Sequence, residues 1–151
     1  MTIKLSNIAD KRLIQIGFDI KKEIPVLLRL IDMLVKIDPF EERDILFNKF
    51  IERESVMSTS IGSGIALPHI ISDKIDNTLL VIGIDKDGIE YDKTTEPVKI
   101  VFMFIGPARN RESYLDALVR VSRLLKVEQN KSKLLNVNTP EDVMNITNGM
   151  D

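Results

Sequence analysis

Hydrophobic positions change their spacing along this chain, and each change predicts an element. Over 21–37 the apolar residues Ile24, Leu27, Leu28, Ile31, Leu34 and Val35 recur every three or four positions, which predicts a helix with one buried face. Pro25 falls in its first turn, where a missing N–H costs little. Asp38-Pro39 then predicts both a stop and a start, because the residue before proline leaves the helical region and aspartate with proline behind it makes an N-cap and first helical position. A second helix runs to about Glu54, with Phe40, Leu46, Phe47, Phe50 and Ile51 on its apolar side and Arg53-Glu54 at its C-terminal end. Ahead of both, 4–18 alternates poorly and predicts an entry segment with a short strand around Leu13–Ile16.

Past a segment rich in glycine and hydroxyls, the pattern becomes continuous. Thr78–Ile84, TLLVIGI, is an apolar run too short for a helix and fits a buried strand. Asp85–Gly88 predicts a turn, with Ile89–Asp92 as the returning arm of a hairpin. Val98–Ile105, VKIVFMFI, is a second long strand closed by Gly106-Pro107. Helical spacing returns over 111–127, where Tyr114, Ala117, Leu118, Val121, Leu124 and Leu125 share a face. The last helix begins at Thr139-Pro140-Glu141-Asp142, where threonine caps, proline takes the first position and the acids suit the positive end of the helix dipole. Helices, then strands, then helices predict one α/β domain over 1–151, a mixed sheet flanked by helices on both faces.

Composition narrows what such a domain does. With 151 residues, 44% of them hydrophobic, one core is expected, and no repeat or linker divides it. The chain has no cysteine, which removes disulfides, zinc-thiolate sites and thiol catalysis and fits a cytoplasmic location. No run approaches the ~18 apolar residues of a membrane span, so no membrane insertion is expected. The formal net charge is -2 with both signs scattered, and without a basic stripe nucleic acid is not an expected partner.

The candidate chemistry gathers in Glu52–His69, ERESVMSTSIGSGIALPH, read as a loop that presents the only histidine. A lone histidine is most often an ordinary half-buried residue, and a glycine and hydroxyl cluster is most often a solvated turn. Here, however, covalent chemistry on nitrogen other than at an amine falls to His69, whose imidazole is available in its neutral form near pH 7. Loop amides and the hydroxyls of Ser58, Thr59, Ser60 and Ser63 are what a small tetrahedral anion needs, and Arg53 adds a permanently charged fork. A serine triad or a metal site draws on more than one histidine and fares worse; no metal or cofactor is required.

The motif RESVMSTSIGSGIALPH, the strand VKIVFMFIG, the helix YLDALVRVSRLL and the terminal TPEDV resemble the IIA component of the phosphoenolpyruvate-dependent sugar phosphotransferase system, of the fructose and mannitol type that includes nitrogen-regulatory IIA proteins. The resemblance implies the mannitol-type IIA fold. It also implies that His69 accepts a phosphoryl group from an HPr-like phosphocarrier and passes it to a cysteine of a IIB domain, or signals through a regulated partner protein without onward transfer. A third reading is a domain that only binds. In the site so implied, His69 is the nucleophile, Arg53 an anion stabiliser and Thr59 or Ser63 the hydroxyl donor, while Ile70, Ile71 and Tyr114 are docking candidates. Two features depart from the family: Tyr114-Leu115 stands where members that shuttle phosphate carry a His-Leu pair, and 70–75 is apolar for a stretch beside an active site. Tyr114 is expected either to donate to a phosphoryl oxygen or to be a core residue.

Overall fold

In the computed structural model, which describes residues 3–91, 94 and 96–150, the two apolar runs form the centre of one mixed sheet. Short elements lead in: α1 (Leu5–Ile8), a 3-10 turn (Lys11–Leu13) and β1 (Ile14–Ile16), the expected short strand. The helices α2 (Glu23–Ile37) and α3 (Arg43–Val56) follow, then β2 (Ser60–Gly62), β3 (Ile65–Ala66), β4 (His69–Ser72), β5 (Leu79–Ile89) and β6 (Val98–Pro107). The chain ends in α4 (Arg111–Lys126), α5 (Glu128–Leu135) and α6 (Pro140–Met150). The sheet order is β1-β5-β6-β3-β2, and β4 also pairs with β6. β3 and β4 therefore lie end to end along one side of β6, both parallel to it.

Alternation along β6 builds two cores. Ile100, Phe102 and Phe104 face one side with Tyr114, Leu118, Val121 and Leu125 of α4, while Val101, Met103 and Ile105 face the other with Leu27, Leu30, Ile31 and Leu34 of α2 and Leu46 and Phe50 of α3. A strand buried on both faces reads as an unbroken apolar run, which is why these segments were recognisable. No helix among the described residues is long and apolar enough to cross a membrane.

Several expectations change. α2 buries Val26, Leu27, Leu30, Ile31 and Leu34, whereas Ile24 is exposed, so the inward stripe is rotated from the expected one. Asp38 ends α2, its N–H donating to Leu34 O, but α3 starts only at Arg43 because 38–42 form a turn closed by Phe40 N–H on Asp38 O. Asp85–Gly88 is no hairpin turn: β5 continues through it to Ile89, which pairs with Val98 across a bulge. Glu90 bridges to Lys22 instead, and Asp92 lies outside the described residues. The helix α5 had no expectation attached to it. At α6 the expected cap is present, with Thr139 Oγ1 accepting from Asp142 N–H at 3.1 Å.

Candidate functional site

His69 opens β4, and its position follows from pairing. Phe104 N–H donates to Pro68 O, so residues 68 and 70 turn their peptides toward β6 while His69 turns its own toward the open edge. Opposite Phe104, its side chain shares the α4 face of the sheet. The segment before it is not a loop but a tight hairpin, with Gly62, Ser63 and Gly64 all at positive φ at its tip. Two glycines there make the left-handed path inexpensive.

On the other arm, Ser60 lies opposite Ala66, which continues to Thr59 opposite Leu67. Leu67 N–H donates to Thr59 O at 3.0 Å, but the reciprocal bond is not made. Thr59 N–H goes instead to Glu54 Oε2 at 3.3 Å, and Leu67 O accepts from His69 Nδ1 at 2.7 Å. Met57 O, just past the end of α3, accepts from Arg53 Nη1 at 2.9 Å. A carbonyl can only accept, so Nδ1 carries the proton of the neutral imidazole and Nε2 the lone pair.

The electrostatics favour that neutral form. Burial, foremost, and the nearby Arg53 charge hold the imidazole below its ordinary value, partly offset by the bond to Leu67 O and by the Glu54 carboxylate. The Arg53 charge also acts on Tyr114, opposing in small part the burial that raises its phenol, so the direction there is upward. Among the described residues no group of three metal-ligating side chains occurs.

The other expected site residues divide. Thr59 is beside His69, but it is buried and its hydroxyl donates to Glu54 Oε1, so that proton is not available to an anion. Ser63 is not at the site. Gly64 O is bound by the N–H groups of Lys99 and Ile100, while His69 pairs four residues beyond Ile100, at Phe104, which is about 13 Å at ~3.3 Å per residue. Ser63 lies one residue further away, exposed at the hairpin tip. Tyr114 is a core residue: fully buried, its ring lies where a Cβ on Gly106 would come within 2.3 Å of Cγ, and its hydroxyl donates to Ile70 O at 3.3 Å. Ile70 is buried as well, so neither it nor Tyr114 offers docking surface.

Two features escaped the sequence reading. Val56 and Met57 at the end of α3 are 81% and 69% exposed, and Leu115 beside Tyr114 is 45% exposed, which leaves large apolar side chains open to solvent at the end of α3 and the start of α4. Glu54 is only 6% exposed. Its burial was legible, because Leu46, Phe50 and Glu54 recur every four residues on the inward side of α3.

Comparison with known proteins agrees with this geometry. Residues 7–149 match the family model "Phosphoenolpyruvate-dependent sugar phosphotransferase system, EIIA 2". The chain is 29% identical over 150 residues to the fructose-specific EIIABC component of Bacillus subtilis, covering 99% of itself but 24% of that much longer relative. It is 30% identical over 118 residues to the fructose-specific EIIA component of Haloferax volcanii, covering 78% of this chain and 77% of that one. Among solved structures, the nitrogen regulatory protein IIA-Ntr of Neisseria meningitidis superposes with a TM-score of 0.85 at 17% identity, over 95% and 98% of the two chains. The Escherichia coli mannitol IIA component, solved in complex with phosphorylated IIB, gives 0.73 at 16% identity, over 91% and 95%. Because the family model spans residues 7–149, nearly the whole length, the chain belongs to the EIIA type 2 family of the phosphoenolpyruvate-dependent sugar phosphotransferase system.

Proposed function

We propose that this chain is a phosphoryl carrier, accepting phosphate from an HPr-like phosphocarrier on His69 and passing it to a IIB domain. The observation that carries this reading is the bond from His69 Nδ1 to Leu67 O, which leaves Nε2 as a neutral nucleophile at the protein surface. The Nε2 lone pair forms a bond to phosphorus as the nitrogen–phosphorus bond of the donor's phosphohistidine breaks and the donor imidazole leaves. In the second step a IIB thiolate attacks the same phosphorus and Nε2 leaves. Such transfers depend on positioning and on stabilising charge over the equatorial oxygens.

Arg53 supplies that positive charge, and the peptide N–H of His69, turned off the open edge of β4, supplies a donor beside it. Leu67 O stabilises the imidazole as it takes on positive character, because Nδ1 keeps its proton throughout. The exposed Val56, Met57 and Leu115 offer protein partners apolar surface at the end of α3 and the start of α4. The complex of mannitol IIA with phosphorylated IIB, a protein of the same fold, supports a IIB partner here.

A second reading rests on Tyr114, which fills the place of a second imidazole and spends its hydroxyl on Ile70 O. With no second imidazole to assist release, phospho-His69 persists and its roughly -1.5 to -2 charge switches binding of a regulated protein instead.

The test is incubation with phosphoenolpyruvate, enzyme I and HPr, followed by intact-mass analysis. One acid-labile phosphoryl group is expected, lost in His69→Ala while the circular dichroism is unchanged. An unlabelled parent protein, or a labelled alanine variant, overturns the reading.

A further inference from the structure

Glu54 interrupts the pairing that continues the β2–β3 hairpin at the Thr59–Leu67 rung, and the imidazole is bound at that gap. Antiparallel pairing offers Thr59 and Leu67 two mutual bonds, N–H to O in each direction. Only Leu67 N–H to Thr59 O is made. If Thr59 N–H completed the rung, Leu67 O would be shared between a backbone donor and His69 Nδ1, and the bond to the ring would be weakened. The carboxylate of Glu54, 6% exposed, prevents that by accepting from both the N–H and the hydroxyl of Thr59. Two bonds from one residue hold the carboxylate in a fixed position and satisfy a buried charge that would otherwise be costly.

We infer that Glu54 is a positioning residue: by drawing the Thr59 N–H out of the ladder it reserves Leu67 O for His69 Nδ1–H and so selects Nε2 as the reacting nitrogen. This rests on the phosphoryl-carrier reading for its purpose, but not for its test, since the tautomer of the resting protein is measurable without any partner. The inference also accounts for why a carboxylate stands beside a site for an anion. Glu54 faces Thr59 rather than the incoming phosphoryl group, and Arg53 stands on the anion's side.

Long-range 1H–15N spectra of uniformly labelled protein at pH 8 read the tautomer directly. The parent protein should show a protonated Nδ1 and a bare Nε2. Glu54→Ala frees Thr59 N–H to compete for Leu67 O, and the Nδ1–H to Nε2–H ratio should fall by roughly fivefold, the equilibrium equivalent of one typical hydrogen bond. Glu54→Gln, which keeps the shape, should give a smaller shift in the same direction. Thr59→Val removes the hydroxyl but leaves the N–H on Glu54, so it should lose stability without changing the tautomer. A titration separates positioning from general loosening: losing the carboxylate lowers the His69 midpoint, whereas opening the site to water raises it. An unchanged tautomer in a folded Glu54→Ala or Glu54→Gln variant, or a parent protein protonated at Nε2, overturns the inference. Failure of phosphorylation in a parent protein with the expected tautomer overturns only the carrier reading.

Discussion

Tyr114→His restores the imidazole that shuttling relatives are expected to carry, and its cost and gain both follow from the packing. The phenol is fully buried, lies against the Gly106 backbone and donates to Ile70 O at 3.3 Å. Truncating a core aromatic to alanine costs ~3–5 kcal/mol; exchanging it for a smaller ring costs about half, near 2 kcal/mol. The hydroxyl bond is long and adds at most ~1 kcal/mol. A loss of about 2–3 kcal/mol in a chain of this length lowers Tm by about 4–12 °C. Against this, a second donor beside the phosphoryl group is worth ~1.5–3 kcal/mol in the transition state, or roughly 10- to 150-fold in transfer rate. Phosphorylated parent and variant are mixed with a fructose-type IIB and the label is followed by quenched flow, with melting measured on the same preparations. Tyr114→Phe is the control: it should lose up to ~1 kcal/mol and keep its phosphorylation rate, because the hydroxyl is engaged by Ile70 O. If the histidine variant transfers no faster than the parent, or the parent already transfers within milliseconds, Tyr114 does not separate carrier from switch.

Arg53→Ala removes the anchor on Met57 O together with the charge proposed to stabilise the phosphoryl group, and phosphorylation by phospho-HPr should slow by roughly one to two orders of magnitude; an unchanged rate limits Arg53 to holding the chain. Ser63→Ala should leave that rate within about twofold, since the hydroxyl lies well over ~10 Å along β6 from the imidazole; a tenfold loss contradicts the register. With the folded His69 pKa below 6.5, chiefly through burial, the unfolded chain binds the extra proton first as pH falls. Stability from this group is therefore present above about 6.5 and lost between there and the folded midpoint, and the rate with preformed phospho-HPr should fall through that midpoint; a 15N titration centred at or above 6.5 refutes both.

What the sequence by itself determined was everything that local periodicity and short motifs encode. VKIVFMFI had to be a strand covered on both faces, Thr139-Pro140 had to open a helix, and the single histidine after Pro68 marked the candidate site. The identity of its partners was not local. Whether Thr59, Ser63 or Tyr114 presents a hydroxyl to that imidazole depends on which strand each one pairs with, and pairing along β6 joins residues far apart in the chain. The collinear placement of β3 and β4 removed Ser63, and the close approach of Gly106 drew Tyr114 into the core. A β-bulge carried β5 through Asp85–Gly88 although those residues suit a turn, because Ile89 gained a partner in Val98. The tautomer of His69 was decided last of all, by a rung left half made, since a hydrogen-bond donor is committed only once every competing acceptor has its place in the fold.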